Sequence, residues 1–171
     1  MKFDFPQVDL PCEILAWNDV TEDILNIYKQ SCRLKAGIFA ICTEGKMTAT
    51  INLIDYEIKP NDLITLLPGT IIQFRERTEK VRLCFAGFSS ECVERINLIK
   101  SMVSSFSKIT ECPIVELQED IASYLIDYFS LLARVTCDEK LSLPSEMTEV
   151  SLRSILTAVG LIYQRSEEHT S

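Results

Sequence analysis

The chain has 171 residues, 47% apolar and 25% charged, which is enough for one well-cored domain with a helical module and excludes disorder along its whole length. Its formal net charge is −8; affinity for a duplex rests on basic residues that release counterions from phosphates, so this chain alone is not expected to bind DNA. It has no apolar run of about 18 residues and no charged-then-apolar leader in MKFDFPQVDL, so the reading is a cytoplasmic protein with no membrane association.

Residues 1–31 contain one candidate strand, CEILAW, and an acid-capped stretch, TEDILNIYKQ, that reads as a helical turn or two or as an irregular strand. From Leu34 to Phe88 short runs rich in Ile, Leu, Phe and Thr alternate with turn signals, the pattern of an all-β sandwich or barrel. Strands are expected near 34–43, 47–53, 55–58, 63–67, 70–77 and 81–88. Gly45 supplies positive φ for a hairpin, Lys59-Pro60-Asn61-Asp62 is a Pro and Asn/Asp turn, and Leu67-Pro68-Gly69-Thr70 places Pro-Gly at the centre of a type II turn. Strand 47–53 alternates Met47, Ala49, Ile51 and Leu53 against threonines and Asn52, whereas 34–43 and 63–67 are apolar on both faces, as expected where a barrel interior meets a covering element.

After Ser89-Ser90 the apolar spacing changes from two to three and four. Ser90 is placed to cap a helix over about 91–107. A short extended piece, CPIVEL, leads to a second helix over 118–136 and then, past the Pro144 loop, a third over 148–164. The second helix has two apolar rows: Ile121, Leu125, Tyr128, Leu132 and Val135, and beside it Ala122, Ile126, Phe129 and Ala133. The fold class is therefore α+β: an antiparallel β-barrel over 1–90, a helical section of about three helices over 91–164 packed on it, and a polar tail, RSEEHTS, over 165–171. The tail reads as the start of a linker or as a translated sequencing adapter, with the chain ending before its natural terminus.

Seven cysteines (Cys12, Cys32, Cys42, Cys84, Cys92, Cys112, Cys137) form an odd set with no CxxC pair, and those within AICTE and RLCFAG read as small buried hydrophobes. The one histidine, His169, lies in the tail. Without imidazole elsewhere there is no His-based catalytic triad and no His/carboxylate metal site, so no catalytic residue, metal or cofactor is assigned. Acidic residues at Glu119 and Asp120 suit a helix dipole. The alternating charges Arg75, Glu76, Arg77, Glu79, Lys80 and Arg82 suit cross-strand pairing on a solvated face.

The segment GIFAICTEGKMTATINLIDYEIKPNDLITLLPGTIIQF, with KVRLCFAGF after it, resembles the amino-terminal cupin-like (jelly-roll type) domain of AraC-family transcriptional regulators. The match rests on Tyr56, Ile58, Pro60, Asp62, Leu63, Pro68 and Gly69, with Gly45 closing the preceding strand pair and helices following. The resemblance implies a sensor that binds a small-molecule effector in the barrel, forms a homodimer through its helices, and meets DNA only through a separate carboxy-terminal pair of helix-turn-helix motifs beyond this chain. Where sugar sensors of the family often carry His after the Pro-Gly turn, this chain has Ile71, Ile72, Gln73 and Phe74, which speaks against a sugar-type contact there.

Alternation places Ile72, Phe74 and Glu76 on one face of their strand and Ile71, Gln73 and Arg75 on the other. With Trp17 over the barrel mouth or in the core, and Phe39, the first set forms the candidate effector site. Ile121, Leu125, Tyr128, Leu132 and Val135 form the candidate dimer interface, because the two apolar rows exceed what one neighbouring helix covers, although pairing with the helix 148–164 competes for that surface. The alternative readings are a non-metal cupin enzyme of the isomerase or epimerase type, working through carboxylates or Tyr56, and a ligand-free scaffold protein.

Overall fold

The structure is a computed structural model that describes residues 5–17, 29–78, 80–97, 103–137 and 143–170, with the side chains of 76, 77, 103, 104, 137 and 166–170 outside that description. Its strands form two five-stranded sheets. β1 (Gln7–Val8), β3 (Cys32–Leu34), β5 (Met47–Ile51), β6 (Ile54–Ile58) and β8 (Ile71–Arg77) make the outer sheet, ordered β1-β3-β8-β5-β6. β2 (Ile14–Trp17), β4 (Gly37–Glu44), β7 (Asp62–Leu66), β9 (Arg82–Phe88) and β10 (Ile114–Glu116) make the central sheet, ordered β10-β7-β4-β9-β2. Pairing is antiparallel except between β1 and β3, which run parallel. Four helices accompany them among the described residues: α1 (Ser90–Ile96), α2 (Val103–Glu111), α3 (Glu119–Cys137) and α4 (Ser145–Thr170).

The expected change from strands to helices near residue 90 is present, and the class is α+β. Among the described residues the closed barrel is not. The two sheets share no strand, and each stops at short edges: two residues in β1, three in β10 and four in β2. Edges this short offer little backbone for the other sheet to pair with, so the sheets stay separate and pack face to face.

Side-chain alternation sorts the central sheet into two cores. Phe39, Ile41, Leu63, Cys84, Ala86 and Phe88 point to the helices, where Leu125, Phe129, Leu132, Leu152, Ile155 and Val159 meet them. Ala40, Cys42, Ile64, Leu66, Leu83 and Phe85 point the other way, to Met47, Ala49, Ile51, Ile58 and Ile72 of the outer sheet. This double burial is what the two-faced apolar runs at 34–43 and 63–67 encode. The outer sheet's far side is polar: Thr50 donates to Asp55 at 2.6 Å, and Arg75 lies 3.6 Å from the same carboxylate. Arg82 pairs with Glu44 directly across β9 and β4 at 3.5 Å, so this part of the charged hairpin does form cross-strand pairs.

The turns follow their residues. Gly69 has φ 92° and the Thr70 amide donates to the Leu67 carbonyl at 3.1 Å, the geometry of a type II turn with Gly at its third position. The Lys59–Asp62 turn closes on itself, because the Lys59 amide donates to Asp62 Oδ2 at 2.9 Å and Asn61 takes positive φ.

Several boundaries move. The strand expected over 34–43 is broken at Lys35-Ala36 into β3 and β4, which join different sheets. The strand expected over 47–53 ends at Ile51, because Asn52 and Leu53 take φ 49° and 70° and form the two-residue hairpin turn to β6. The helix expected over 91–107 stops at Ile96: Asn97 is left-handed and its amide donates back to Glu94, a C-cap that Asn tolerates. Its N-cap is Ser89, which accepts from the Cys92 amide. Ser90, the residue expected to cap it, is tied instead to Asp9 through both its amide and its hydroxyl. The TEDILNIYKQ stretch lies, up to Tyr28, outside the described residues.

Gly45 (φ 82°) has no room for a side chain, since a Cβ would fall 2.0 Å from the Lys80 carbonyl oxygen, whereas one at Gly69 would meet nothing within 4 Å. Gly45→Ala is therefore expected to cost more than about 2 kcal/mol and Gly69→Ala about 1 kcal/mol, the price of φ alone. Urea unfolding monitored by far-ultraviolet circular dichroism reads the difference.

Candidate effector site between the sheets

Register places the residues that line the space between the sheets. Across the outer sheet, Phe74, Ala49 and Tyr56 lie opposite one another on β8, β5 and β6. Across the central sheet, Trp17, Phe85, Ala40, Ile64 and Ile114 form one row on β2, β9, β4, β7 and β10. Each row sets a small alanine between larger side chains, and antiparallel partners share a face. Phe74, Tyr56, Ile114, Leu15 and Ile38 are only partly buried where they pack on this inter-sheet core. Trp17, at the end of edge strand β2, keeps 37% of its surface exposed.

Of the residues proposed from sequence, Ile72 and Phe74 belong to this core and Trp17 lies on the same face at its rim, rather than plugging the interior. Phe39 does not join them. It points to the helix side of the central sheet, fully buried, with its ring 6.4 Å from that of Phe88 at 71°. Alternation separates inward from outward residues on a strand but cannot say which of two cores a given row faces, and β4 serves both. Glu76 falls at an irregularity in the pairing of its strand. Ala49 pairs with Phe74 but Met47 pairs with Arg77, a register shift that interrupts alternation before Glu76; its side chain lies outside the described residues. The members missed from sequence, Ala40, Ala49 and Phe85, carry no polar or spacing signal and are found only from pairing register.

Burial raises the Tyr56 phenol above its ordinary value. Asp62, buried at the start of β7, is raised by burial against the opposing pull of the Lys59 amide and ammonium, and it works as the lock of its own turn. Burial pushes the Cys84 thiol up to about 12 and those of Cys42 and Cys92 to about 11. Cys32 and Cys12 are also raised by burial. At pH 8 a thiol of pKa 11 or more is ionised to on the order of one part in a thousand. Cys32, Cys42, Cys84 and Cys92 are buried and act as apolar packing, as read for Cys42 and Cys84 from their sequence context.

The proposed dimer residues are divided by the fold. Leu125 and Leu132 lie in the helix-side core with Ala122, Phe129 and Ala133, while Ile121 and Tyr128 pack at its margin and Val135 is half-buried. Both apolar rows of α3 thus cover one surface within the chain, the outer face of the central sheet at β2 and β9, and neither is left over for a partner. The large apolar α3 side chains that remain exposed are Tyr124, at 68%, and Leu131. Helix α4 is fastened independently: the Tyr163 hydroxyl donates to the Cys112 carbonyl at 2.6 Å.

Leu125→Ala and Leu132→Ala are each expected to lose about 2–5 kcal/mol of unfolding free energy, against about 0.5 kcal/mol or less for Tyr124→Ser, as measured by denaturant melts. In the folded chain at pH 8, iodoacetamide is expected to label Cys112 first and Cys12 more slowly. Cys42, Cys84 and Cys92 should stay unlabelled until urea is added, with peptide mass spectrometry reporting each site.

No family model matches the chain and no curated protein matches it. Solved structures do. It is similar to the AraC-like transcriptional activator CuxR, at TM-score 0.49 and 9% identity over 85% of this chain and 47% of that one. It is also similar to ToxT from Vibrio cholerae, at TM-score 0.45 and 9% identity over 89% and 58%. An apo ToxT variant from Vibrio cholerae strain SCE256 aligns at TM-score 0.45 and 12% identity, over 91% and 55%. The chain spans about half the length of the solved structures it matches.

Proposed function

We propose that this chain is the effector-binding and dimerisation domain of an AraC-type transcriptional regulator. In this reading the two sheets are a cupin-like scaffold that receives a small molecule between them, without catalysis, and controls a separate helix-turn-helix DNA-binding domain. The observation that carries it is the unequal sealing of the two cores. Among the described residues the helix-side core has twenty-five buried members and five partly buried ones, whereas the inter-sheet core has thirteen buried and seven partly buried.

A core that serves stability alone gains most from closing completely, since each exposed apolar side chain forfeits about 25 cal/mol per Å² of burial. The inter-sheet core instead leaves Phe74, Tyr56, Leu15 and Ile38 only partly buried, beside the small side chains of Ala40 and Ala49. Its lining suits an apolar or aromatic molecule of low charge better than a sugar, because binding sites of this type are mostly apolar with few polar contacts. The acidic net charge of −8 agrees with DNA contact being made elsewhere. We infer a homodimer as the working form; with Leu125 and Leu132 committed to the core, Tyr124 and Leu131 are the large apolar α3 side chains left to meet a partner.

Thermal-shift screening against sugars, organic acids and aromatic metabolites tests the reading. A compound present at a hundred times its dissociation constant adds about 2.7 kcal/mol to the folded state, a clear rise in melting temperature. Aromatic metabolites are expected to give such a shift and sugars none. Ala49→Phe, which fills the space at a cost of about 1–3 kcal/mol, is expected to abolish it while circular dichroism remains native. A shift that survives both Ala49→Phe and Ala40→Phe would place the ligand elsewhere, and a full panel with no shift would overturn the proposal.

A further inference from the structure

A cluster of charges outside the inter-sheet space joins three segments that are far apart in sequence. Arg95, in the last turn of α1, directs its guanidinium at Glu13 immediately before β2 and at Glu149 in α4, the latter at 2.9 Å, with Glu91 at 3.7 Å. Glu13 is itself shared. Its carbonyl accepts from the Ser89 amide at 2.9 Å, and its carboxylate accepts from the Ser145 hydroxyl at 3.1 Å, at the first residue of α4. Three carboxylates thus surround one guanidinium, whose forked donors serve two helices and a strand at once. The side chains of Glu13, Arg95 and Glu149 are each about one-third exposed, at 29%, 31% and 30%.

Isolated ion pairs on a protein surface contribute little, but a cluster in which one cation separates several anions behaves differently when the cation is lost. Without Arg95 the cluster holds only like charges, and Glu13 and Glu149 repel across the junction of β2 and α4. β2 is also the edge strand that spans both cores: Ile14 and Ala16 face the helices, while Leu15 and Trp17 face the space between the sheets. It is held to its own sheet along one side only, by β9.

We propose that Glu13, Arg95 and Glu149 form an ionic latch that couples edge strand β2 to the start of α4, so that loosening of either end is felt at the other. The latch stands on this junction alone and does not require that an effector be bound between the sheets. Its chemical logic is that of a shared cation. The guanidinium is fixed in place by a carboxylate on each element, so removing either carboxylate leaves it free to swing away from the other.

Hydrogen exchange on the full chain, read by mass spectrometry over β2 and over the first two turns of α4, tests the coupling. Trp17, the single tryptophan of the chain, gives an independent fluorescence signal. The deciding variant is E149Q, because Glu149 lies on α4. It is expected to speed exchange about fivefold or more in β2 as well as in α4 and to shift Trp17 emission to the red, while β4 keeps its protection. R95A is expected to do the same to a larger degree. If E149Q loosens α4 and leaves β2 exchange and Trp17 emission as they were, the latch is overturned; this holds even where R95A fails to fold.

Discussion

The constraint on which the structure depends is that its central sheet is buried on both faces. Every residue of β7 and the last six of β9 are buried, which leaves no polar face to orient those strands. On β4 the two faces differ in size. Phe39 and Ile41 go to the helix side, where α3 and α4 supply large partners, and Ala40 and Cys42 go to the side where two sheets stack about 10 Å apart. A one-residue slip of β4 would exchange the two sets. It would drive Phe39 and Ile41 into the narrow layer and leave alanine and cysteine facing the helices.

From that follows the breadth of α3. A helix lying over a strongly apolar sheet must cover more than a coiled-coil seam, so it needs an apolar face of about 100° or more rather than a single a/d row. Its two rows are one such face. The second helix of this layer, α4, does not share that surface with α3 as a partner; it closes the remaining part through Leu152, Ile155 and Val159, and its Tyr163 hydroxyl reaches past the helices to the segment leading into β10. Burial pushes that phenol well above its ordinary value, so it stays a neutral donor and the contact is insensitive to ordinary changes of pH.

How much of this was legible in the sequence depends on whether a residue's chemistry speaks for its backbone. Gly45, Gly69 and the Lys59–Asp62 turn were readable because glycine, proline, Asn and Asp each favour a particular geometry. Leu53 was not, because a leucine at φ 70° runs against its own preference and is held there by the hairpin, with Asn52 Oδ1 accepting from the Ile71 amide at 3.0 Å. The stop at Asn97 was visible only as one Asn among many polar residues. For the candidate site the limit was different in kind. Period-two alternation put Ile72 and Phe74 together correctly, but two cores on one sheet made the partner row ambiguous, which is how Phe39 came to be grouped with residues on the far side of β4. The bulge before Arg77 had no sequence signature at all.

The contrast between the two cores locates where this fold can yield. The helix-side core engages all four described helices and the whole central sheet, so opening it exposes the largest buried side chains of the molecule. The inter-sheet layer is closed at its β2 rim by a four-residue edge strand whose hydrogen bonds run to one neighbour, and by side chains that remain partly in solvent. Free energies of local opening fall where few apolar contacts and one-sided pairing coincide, and here both occur at the strand that carries Trp17. The N-terminal segment compensates with polar ties rather than apolar ones: Asp9 to Ser90, Glu13 to Arg95 and Ser145. Burial alone would raise the Asp9 carboxyl, but the Ser90 and Leu10 hydrogen bonds outweigh it and hold Asp9 below its ordinary value. Glu13 is lowered chiefly by its hydrogen bond from Arg95. Carboxylates depressed in the folded state stabilise it above their unfolded pKa, and that contribution fades as pH falls through the folded value. The rim of the inter-sheet layer is thus held by charge at neutral pH, while its two cores are held by apolar packing that charge does not enter.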